Sequence, residues 1–373
     1  MTDKKSLGIR ELAELAKATG ALDLAQGIID APPPEILVKN LRSIPIEKYS
    51  AYNNKRGVPT YREAIRDYLA SRHWQITVDQ VIGTAGATGG ISSALLTACR
   101  PGDAVLLPEP FFVYHKLLLE VLGFKISFFP VPLDRQPDWK HIAEKMRDVK
   151  AVIITTPANP TGQVAPPEVL QKLTQSAAEN GCLLLLDEMY REFIWDETTP
   201  DDSIYKELNL DKTVILRSFS KTLATPGWRV GFAVTSPERV QHIAIRHDAL
   251  YIGGSTIAQH ALAVTLKNDL PEINAYVVNL RNLLKKNMVL LAEASRAYGM
   301  HPLPVPATYY MLMKHNRASD LAALEELMEK KVFVTPANIL YSDPTKDTGF
   351  IRIHFAVSPE TVKEVRRRLA KVA

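Results

Sequence analysis

The sequence predicts an α/β fold in which a mainly parallel sheet carries helices on both faces. Short, continuously apolar segments alternate along the chain with longer segments of helical periodicity. Strands that are apolar on both faces are typical of a buried parallel sheet. With 373 residues, 46% of them hydrophobic, the chain is long enough for two domains. A second, smaller α+β unit is expected toward the C-terminal end.

The predicted elements follow one another regularly. Helices are expected over residues 8–20 and 59–71. A third helix begins at Pro166-Pro167-Glu168, with proline in its first turn, and ends at Asn180-Gly181. The predicted strands, in chain order, are 104–107, 151–155, 182–186, 214–216, 230–234 and 309–313.

The composition argues against several classes of partner. Lys plus Arg is 45 and Asp plus Glu is 41, so the formal charge of +4 gives no basis for binding nucleic acid or a membrane surface. No apolar run approaches the roughly 18 to 20 residues of a membrane span, and no signal-peptide core follows Met1, so a cytoplasmic protein is expected. Cys99 and Cys182 lie among apolar residues and are expected to be buried, reduced thiols; no metal site is predicted.

Polar residues follow three of the predicted strands. Asn159-Pro160-Thr161-Gly162 comes after the first of them, Asp187-Glu188-Met189-Tyr190 after the second, and Ser218 with Ser220 and Lys221 after the third. Each signal is weak alone, because a strand-terminal Asp is more often a cap or a salt-bridge partner. In open α/β sheets, however, ligands bind beyond the carboxyl ends of strands. Together the three segments predict one site.

These motifs resemble those of the class I/II pyridoxal-phosphate (PLP) dependent aminotransferases, the PLP fold type I. Ser218-Phe219-Ser220-Lys221-Thr222, followed by Gly227-Trp228-Arg229-Val230-Gly231, is similar to the family's PLP-lysine signature. Thr84–Thr88 resembles the turn that holds the cofactor phosphate, and Phe350–Ala356 resembles the segment with the substrate-carboxylate arginine. The resemblance runs from about Gly27 to Ala356. It implies a large domain over residues 31–265 and a small domain formed by 1–30 and 266–373.

The resemblance also implies roles around the cofactor ring. Lys221 would hold PLP as a Schiff base, and Asp187 would keep the ring nitrogen protonated so that the cofactor can accept electrons. Tyr190 and Asn159 would donate hydrogen bonds to the phenolate oxygen of the ring. Phe112 would cover the ring face, although ordinary core packing is the alternative for Phe111 and Phe112.

The cofactor phosphate needs N–H groups at a helix start and fixed donors beside them. Gly86-Ala87-Thr88 would supply the first, and Ser218 and Arg229 the second. A dinucleotide fingerprint is the rival interpretation of Gly83, Gly86 and Gly89. Their spacing is G-x-x-G-x-x-G instead of G-x-G-x-x-G, and no ribose-binding acid follows, which argues against it.

A planar, permanently charged fork suits a carboxylate, so Arg352 is expected to bind the α-carboxylate of an amino acid, with Asn159 and the backbone of Gly27 beside it. Tyr52 resembles the tyrosine that reaches the cofactor phosphate of a neighbouring subunit, which implies a homodimer with shared active sites. No counterpart of the second arginine, which binds the distal carboxylate of dicarboxylic amino acids, is found in the segment 250–259. Neutral or aromatic amino acids are therefore at least as well supported as aspartate.

The expected activity is transfer of the amino group of an L-amino acid to a 2-oxo acid, through PLP and pyridoxamine phosphate. A carbon–sulfur β-lyase on the same scaffold is the alternative, because it uses the same lysine and cofactor. Release of pyruvate and ammonia from cystathionine without an oxo acid would identify it. A non-catalytic amino-acid sensor is a third possibility, which the intact Lys221 argues against.

Overall fold

The computed structural model describes residues 8–196 and 201–370. Strands lie at Leu22–Asp23 (β1), Val81–Thr84 (β2), Ala104–Glu109 (β3), Lys125–Pro130 (β4), Ala151–Thr155 (β5), Leu183–Asp187 (β6), Thr213–Ser218 (β7), Gly231–Val234 (β8), His301–Pro302 (β9), Tyr310–Lys314 (β10), Val332–Phe333 (β11), Thr335–Pro336 (β12) and Phe350–His354 (β13). Helices lie at Ile9–Ala18 (α1), Glu35–Arg42 (α2), Pro59–Ala70 (α3), Gly86–Ala98 (α4), Val113–Val121 (α5), Trp139–Lys145 (α6), Pro167–Glu179 (α7), Phe219–Thr222 (α8), Pro237–Tyr251 (α9), Thr256–Asn268 (α10), Leu270–Ala297 (α11), Asp320–Glu329 (α12) and Pro359–Leu369 (α13).

The central sheet has seven strands in the order β2-β8-β7-β6-β5-β3-β4. The strands from β7 to β4 pair in parallel, whereas β8 is antiparallel to both β2 and β7. Alternate residues of β6 belong to different hydrophobic clusters, Leu184 and Leu186 to one and Leu183 and Leu185 to the other. Both faces of the sheet are therefore buried, which confirms the predicted α/β fold with a mainly parallel sheet.

The predicted elements agree with the structure to within a few residues. Strand β5 and helix α7 occupy the predicted segments. Strand β7 is longer than the predicted 214–216, because Arg217 and Ser218 continue its pairing with β8. A charged residue in a buried strand is not expected from apolar patterning alone.

A buried ionic network explains how Arg217 is accommodated. Its guanidinium donates to Asp202 at 2.6 Å and to Glu188 at 2.8 Å. The same Asp202 carboxylate accepts from Arg72 at 2.7 Å and from Arg191 at 3.2 Å. These arginines hold the pKa of Asp202 well below its ordinary value despite its burial. The network ties β6 and β7 to the end of α3 and to residues 201–207.

A second, smaller group of elements combines both ends of the chain. Strands β12-β13-β10-β9 form an antiparallel sheet, and α12 and α13 pack near it. Strand β1 pairs in parallel with β11, where Leu22 lies opposite Val332. The N-terminal segment thus adds to an α+β unit made from the C-terminal third. The domain limits at residues 31 and 265 stay a prediction.

The two cysteines are buried free thiols, and burial raises the pKa of each to about 12. In the part of the chain that the structure describes, no helix is both long and apolar enough to cross a membrane. Over the same residues, no three His, Cys, Asp or Glu side chains come together in a way that could hold a metal ion.

Candidate active site

One cavity of about 470 Å³ opens where β5, β6 and β7 end. Thr155 and Asp187 are the last residues of β5 and β6, and Lys221 lies three residues after the end of β7, within α8. This is the edge at which ligands of open α/β sheets bind. The predicted site residues that line the cavity are Ala87, Thr88, Phe112, Asn159, Asp187, Tyr190, Lys221, Arg229 and Arg352.

Lys221 is held in place by the cap of its short helix. The hydroxyl of Ser218 accepts the N–H of Ser220 at 3.0 Å and donates to the carbonyl of Val230 at 2.6 Å. Ser218 therefore lies behind the wall of the cavity, whereas Ser220 lines it together with Lys221. The phosphate contact of Ser218 stays a prediction, and Ser220 is the hydroxyl of the pair that faces the cavity.

Asp187 has a partner that the sequence analysis missed. Its Oδ2 lies 3.0 Å from Nε2 of His115, and its Oδ1 accepts the N–H of Met189 at 3.3 Å. The His115 ring is buried, and neither of its nitrogens is aligned for a hydrogen bond with a described residue, so a small ring rotation would give Asp187 a second donor. The sequence signal that could have indicated His115 is its position three residues after the predicted ring-covering Phe112. In the structure the two rings meet edge to face, with centroids 5.2 Å apart.

Arg352 and Asn159 form the wall of the cavity at β13. Arg352 donates to Oδ1 of Asn159 at 3.0 Å, to the carbonyl of Ala25 at 2.7 Å and to Oγ1 of Thr335 at 3.2 Å. Its guanidinium carbon lies 4.4 Å from the ring centroid of Tyr310. Nε of Arg352 and Nδ2 of Asn159 are buried and lack a hydrogen-bond partner among the described residues. The pair therefore retains donors for an anion or a ring oxygen.

A tyrosine cluster lies beneath this pair. Tyr190 donates to the hydroxyl of Tyr310 at 3.4 Å, and burial, with Tyr310 adding to it, raises the pKa of Tyr190 well above its ordinary value. Tyr190 consequently stays protonated and can act as a donor. Tyr309 donates to the carbonyl of Gly27 at 3.1 Å. Gly27 has φ of 70°, and a Cβ there would collide with the ring of Tyr310, so only glycine fits.

The opposite end of the cavity meets the start of α4. Gly86 has φ of 69°, and a Cβ there would lie 2.7 Å from Nη2 of Arg229, which itself has φ of 54°. Nε2 of His247 accepts the N–H of Ala85 at 2.9 Å, and burial lowers the pKa of His247 to about 4, so the neutral ring can accept this bond. The N–H groups of the first turn of α4 remain for an anion, with the Arg229 guanidinium beside them.

Three predicted residues remain to be placed relative to the cavity, namely Phe112, Tyr52 and Gly27. Phe112 is half-buried and lines the cavity, while Phe111 is buried in the core and donates its N–H to Leu340. Tyr52 is 84% exposed and does not line the cavity of its own chain. Gly27 lies one residue from Gln26 and Ile28, which do line it.

Comparison with known proteins places this geometry in a family. The aspartate/prephenate aminotransferase of Thermus thermophilus is 26% identical over 356 residues, which cover 94% of this chain and 90% of that protein. The aspartate aminotransferase of Thermotoga maritima is 26% identical over 369 residues, or 97% of this chain and 94% of that protein. Among solved structures, Escherichia coli YbdL, identified as a methionine aminotransferase, matches with a TM-score of 0.88 over 100% of this chain and 99% of its own at 24% identity, which shows the shared fold.

The family model for aminotransferase class I and II matches residues 18–369, nearly the whole chain. The matched region contains the central sheet and, from Gly27 to Arg352, every residue predicted for the site. On this match the chain belongs to the class I and II aminotransferase family and has its PLP fold type I.

Proposed function

We propose that this aminotransferase binds pyridoxal 5'-phosphate and moves the amino group of an L-amino acid to a 2-oxo acid. The observation that carries the proposal is the convergence of Lys221, Asp187, Arg229 and Arg352 on one cavity. A primary amine, a carboxylate and two separated guanidinium groups match a cofactor with an aldehyde, a ring nitrogen and a phosphate, together with a substrate carboxylate.

The residues present fit this cofactor. The buried Nδ2 of Asn159 lacks a partner among the described residues, as a donor kept for a ring oxygen should. The backbone at Gly86 leaves beside Arg229 a space that any Cβ would fill, as close approach of a phosphate to N–H groups requires. Asp187 is 4% exposed yet lines the cavity, so its carboxylate can meet a ring nitrogen away from bulk water.

Most of the site residues would bind the cofactor, and Lys221 would transfer the proton. Arg229, Ser220 and the first turn of α4 would hold the phosphate. Asp187, supported by His115, would hold the protonated ring nitrogen, and Tyr190 with Asn159 would donate to the ring oxygen. When bound, the cofactor supplies an electron sink that makes the proton on the substrate Cα removable.

Lys221 is positioned to carry that proton. Its side chain is half-buried in the cavity wall, within the same short helix as Ser220. Its amine would take the proton from the substrate Cα and deliver it to the cofactor carbon that keeps the amino group, and it would move a proton in the opposite direction in the second half-reaction. Arg352 fixes the α-carboxylate, and burial lowers the pKa of Arg352, so a bound carboxylate would offset a charge that the interior disfavours.

For the amino donor we propose a neutral or aromatic amino acid. Ile9, Ile28, Phe112 and Met189 line the cavity, which gives an apolar surface for a side chain. The segment 250–259 contributes Tyr251 and Ser255 to an adjoining cavity of about 400 Å³ and no cation to either cavity. Relatives named for aspartate make aspartate the competing donor.

The dimer is proposed from the position of Tyr52. The next residue, Asn53, is tied to the carbonyl of Gly254 at 3.3 Å and to Oγ1 of Thr256 at 2.9 Å, while Tyr52 itself projects into solvent. In a homodimer, Tyr52 of one subunit would reach the Arg229 side of the other. A gel-filtration mass near the 41.5 kDa of one chain would contradict this proposal.

The test of the activity is an absorption spectrum of the purified protein before and after addition of a panel of L-amino acids, with a Lys221→Ala variant alongside. We expect a visible cofactor band that shifts toward the pyridoxamine form with neutral or aromatic donors and does not turn over in the variant. Pyruvate and ammonia release without an oxo acid would identify a lyase instead. No band after incubation with the cofactor would refute the PLP proposal.

A further inference from the structure

The mouth of the cavity carries a cation that the proposed chemistry leaves unused. The described residues lining the cavity include four Lys or Arg side chains, namely Arg10, Lys221, Arg229 and Arg352, against one acid, Asp187. In the proposed function the phosphate accounts for Arg229 and the α-carboxylate for Arg352, while Lys221 acts as an amine. Arg10 remains without an anion from the cofactor or from a monocarboxylic substrate.

Arg10 is presented at this place by a fixed helix. It lies in the first turn of α1, next to Ile9, which is 6% exposed. Ile9 packs in one cluster with Leu312 of β10 and Leu340, and Val113 at the start of α5 packs against the same cluster. The first turn of α1 is thereby anchored close to the segment that carries Phe112.

The neighbours of Arg10 inside the protein do not neutralise it. Among the described residues, the only carboxylate within 4 Å of its guanidinium is that of Glu14, at 3.8 Å, and the two side chains are 71% and 74% exposed. Such an exposed pair contributes little stability, so it competes weakly with a ligand. Ile28 and Tyr114, which line the same cavity, are partly exposed and supply an apolar wall there. A charge at the end of an apolar wall binds an anion more strongly than it would in open water.

We infer that Arg10 binds the distal carboxylate of a dicarboxylic 2-oxo acid, which serves as the amino acceptor. This rests on the proposed function, since it adds a second carboxylate contact to the same cavity. A neutral donor uses the apolar wall and leaves the exposed Arg10 in solvent, so one site serves both half-reactions. The distal cation therefore comes from the N-terminal helix of the same chain and not from the segment 250–259.

The test compares substrates that differ only at the far end. 2-Oxoglutarate and 2-oxopentanoate have equal chain lengths, and so do L-glutamate and L-norvaline, but only the first of each pair has a distal carboxylate. The measured quantity is the ratio of kcat/KM for the dicarboxylic compound to that for the monocarboxylic one, from single half-reactions of the holoenzyme. In Arg10→Gln we expect this ratio to fall roughly 10- to 100-fold, as for loss of a charge-assisted hydrogen-bonded pair.

Two further variants separate recognition from a general effect. Arg10→Lys keeps the charge but not the planar fork, so its ratio should lie between those of wild type and Arg10→Gln. Glu14→Gln is the matched control; it removes the exposed partner and should leave the ratio unchanged or raise it. Added salt should lower the wild-type ratio and have no such effect in Arg10→Gln.

The outcomes distinguish this inference from the proposed function. If the wild type shows no cofactor band or reacts with no amino acid of the panel, the proposed function itself fails; if it reacts with the panel but with neither 2-oxoglutarate nor L-glutamate, only the role of Arg10 is overturned. If it reacts with both pairs and Arg10→Gln keeps the wild-type ratio, only the role of Arg10 is overturned. A lowered ratio in Arg10→Gln with an unchanged ratio in Glu14→Gln establishes Arg10 as the residue that recognises the distal carboxylate.

Discussion

Replacing His115 by Phe should weaken cofactor binding through Asp187. His115 Nε2 lies 3.0 Å from Oδ2 of Asp187, and the side chains are 4% and 5% exposed. Phe has a similar shape but no ring nitrogen, so Oδ2 of Asp187 loses the hydrogen bond that a small rotation of the buried His115 ring would form with it. The N–H of Met189, at 3.3 Å from the other oxygen, would be left.

The magnitude follows from the kind of contact. A hydrogen bond to a charged group is worth about 1.5–3 kcal/mol, which corresponds to a change of about 10- to 100-fold in an equilibrium constant. We expect the Kd of pyridoxal phosphate to rise by about this factor in His115→Phe. The kcat should fall as well, because the orientation of Asp187 against the ring nitrogen matters for chemistry and not only for binding.

The assay is a titration of the apoenzyme with the cofactor, followed by its visible absorption, together with kcat for the best amino donor. His115→Gln keeps a donor and should recover part of the loss. His141→Phe, at an exposed position of α6, is the matched control for the substitution itself. A His115→Phe variant with wild-type Kd and kcat would refute the idea that His115 supports Asp187.

Three further predictions concern the substrate site and stability. Asn159→Asp should raise the KM for amino acids about 10-fold, measured by steady-state kinetics, because an aspartate would pair with Arg352 and compete with the substrate carboxylate; an unchanged KM would contradict this. Asp202→Ala should lower the free energy of unfolding by about 3–5 kcal/mol in a urea titration, since the buried Arg191 and Arg217 and the mostly buried Arg72 lose their shared carboxylate; a loss below about 1 kcal/mol would count against the network. Burial lowers the pKa of His247 to about 4 and that of His354 to about 3, so the unfolded chain binds protons from about pH 6.5 downward, where the native state does not. Stability should therefore fall as the pH drops from about 6.5 toward 4, by up to about 1.4 kcal/mol per pH unit for each histidine, and His247→Gln should flatten that slope in urea titrations.

The sequence was sufficient for the sheet and for the residues at its carboxyl edge. Apolar segments such as 151–155 and 182–186 alternate with amphipathic helices, and this pattern alone leads to a parallel sheet whose strand ends meet. Asp187 and Lys221 could be found because Asp187 lies at the end of such a strand and Lys221 comes three residues after another. The resemblance to the family then added Arg229, eight residues after Lys221, and Arg352, which lies far away in the chain.

Other residues of the site could not be predicted, because they meet it only through tertiary packing. Arg10 lines the cavity because Ile9 fixes α1 against β10 and α5, which are contacts between segments far apart in the chain. In the sequence Tyr310 cannot be told from an ordinary residue of an apolar strand. Only the structure shows that its ring packs against the guanidinium group of Arg352. Whether Ser218 or Ser220 faces the cavity depends on the direction of each side chain where β7 passes into α8. Sequence periodicity does not give that direction.

The strand ends at the site are fixed from the side that faces away from the cavity. Asp187 lines the cavity, while its neighbour Glu188 points into the core and accepts from Arg217. Arg217 in turn precedes Ser218, the cap of the helix that carries Lys221. Successive side chains of an extended chain point to opposite faces, so Glu188 beside Asp187 and Arg217 beside Ser218 are available for anchoring. Arg217 also donates to Asp202, so a buried ionic network joins the ends of β6 and β7 to each other behind the site.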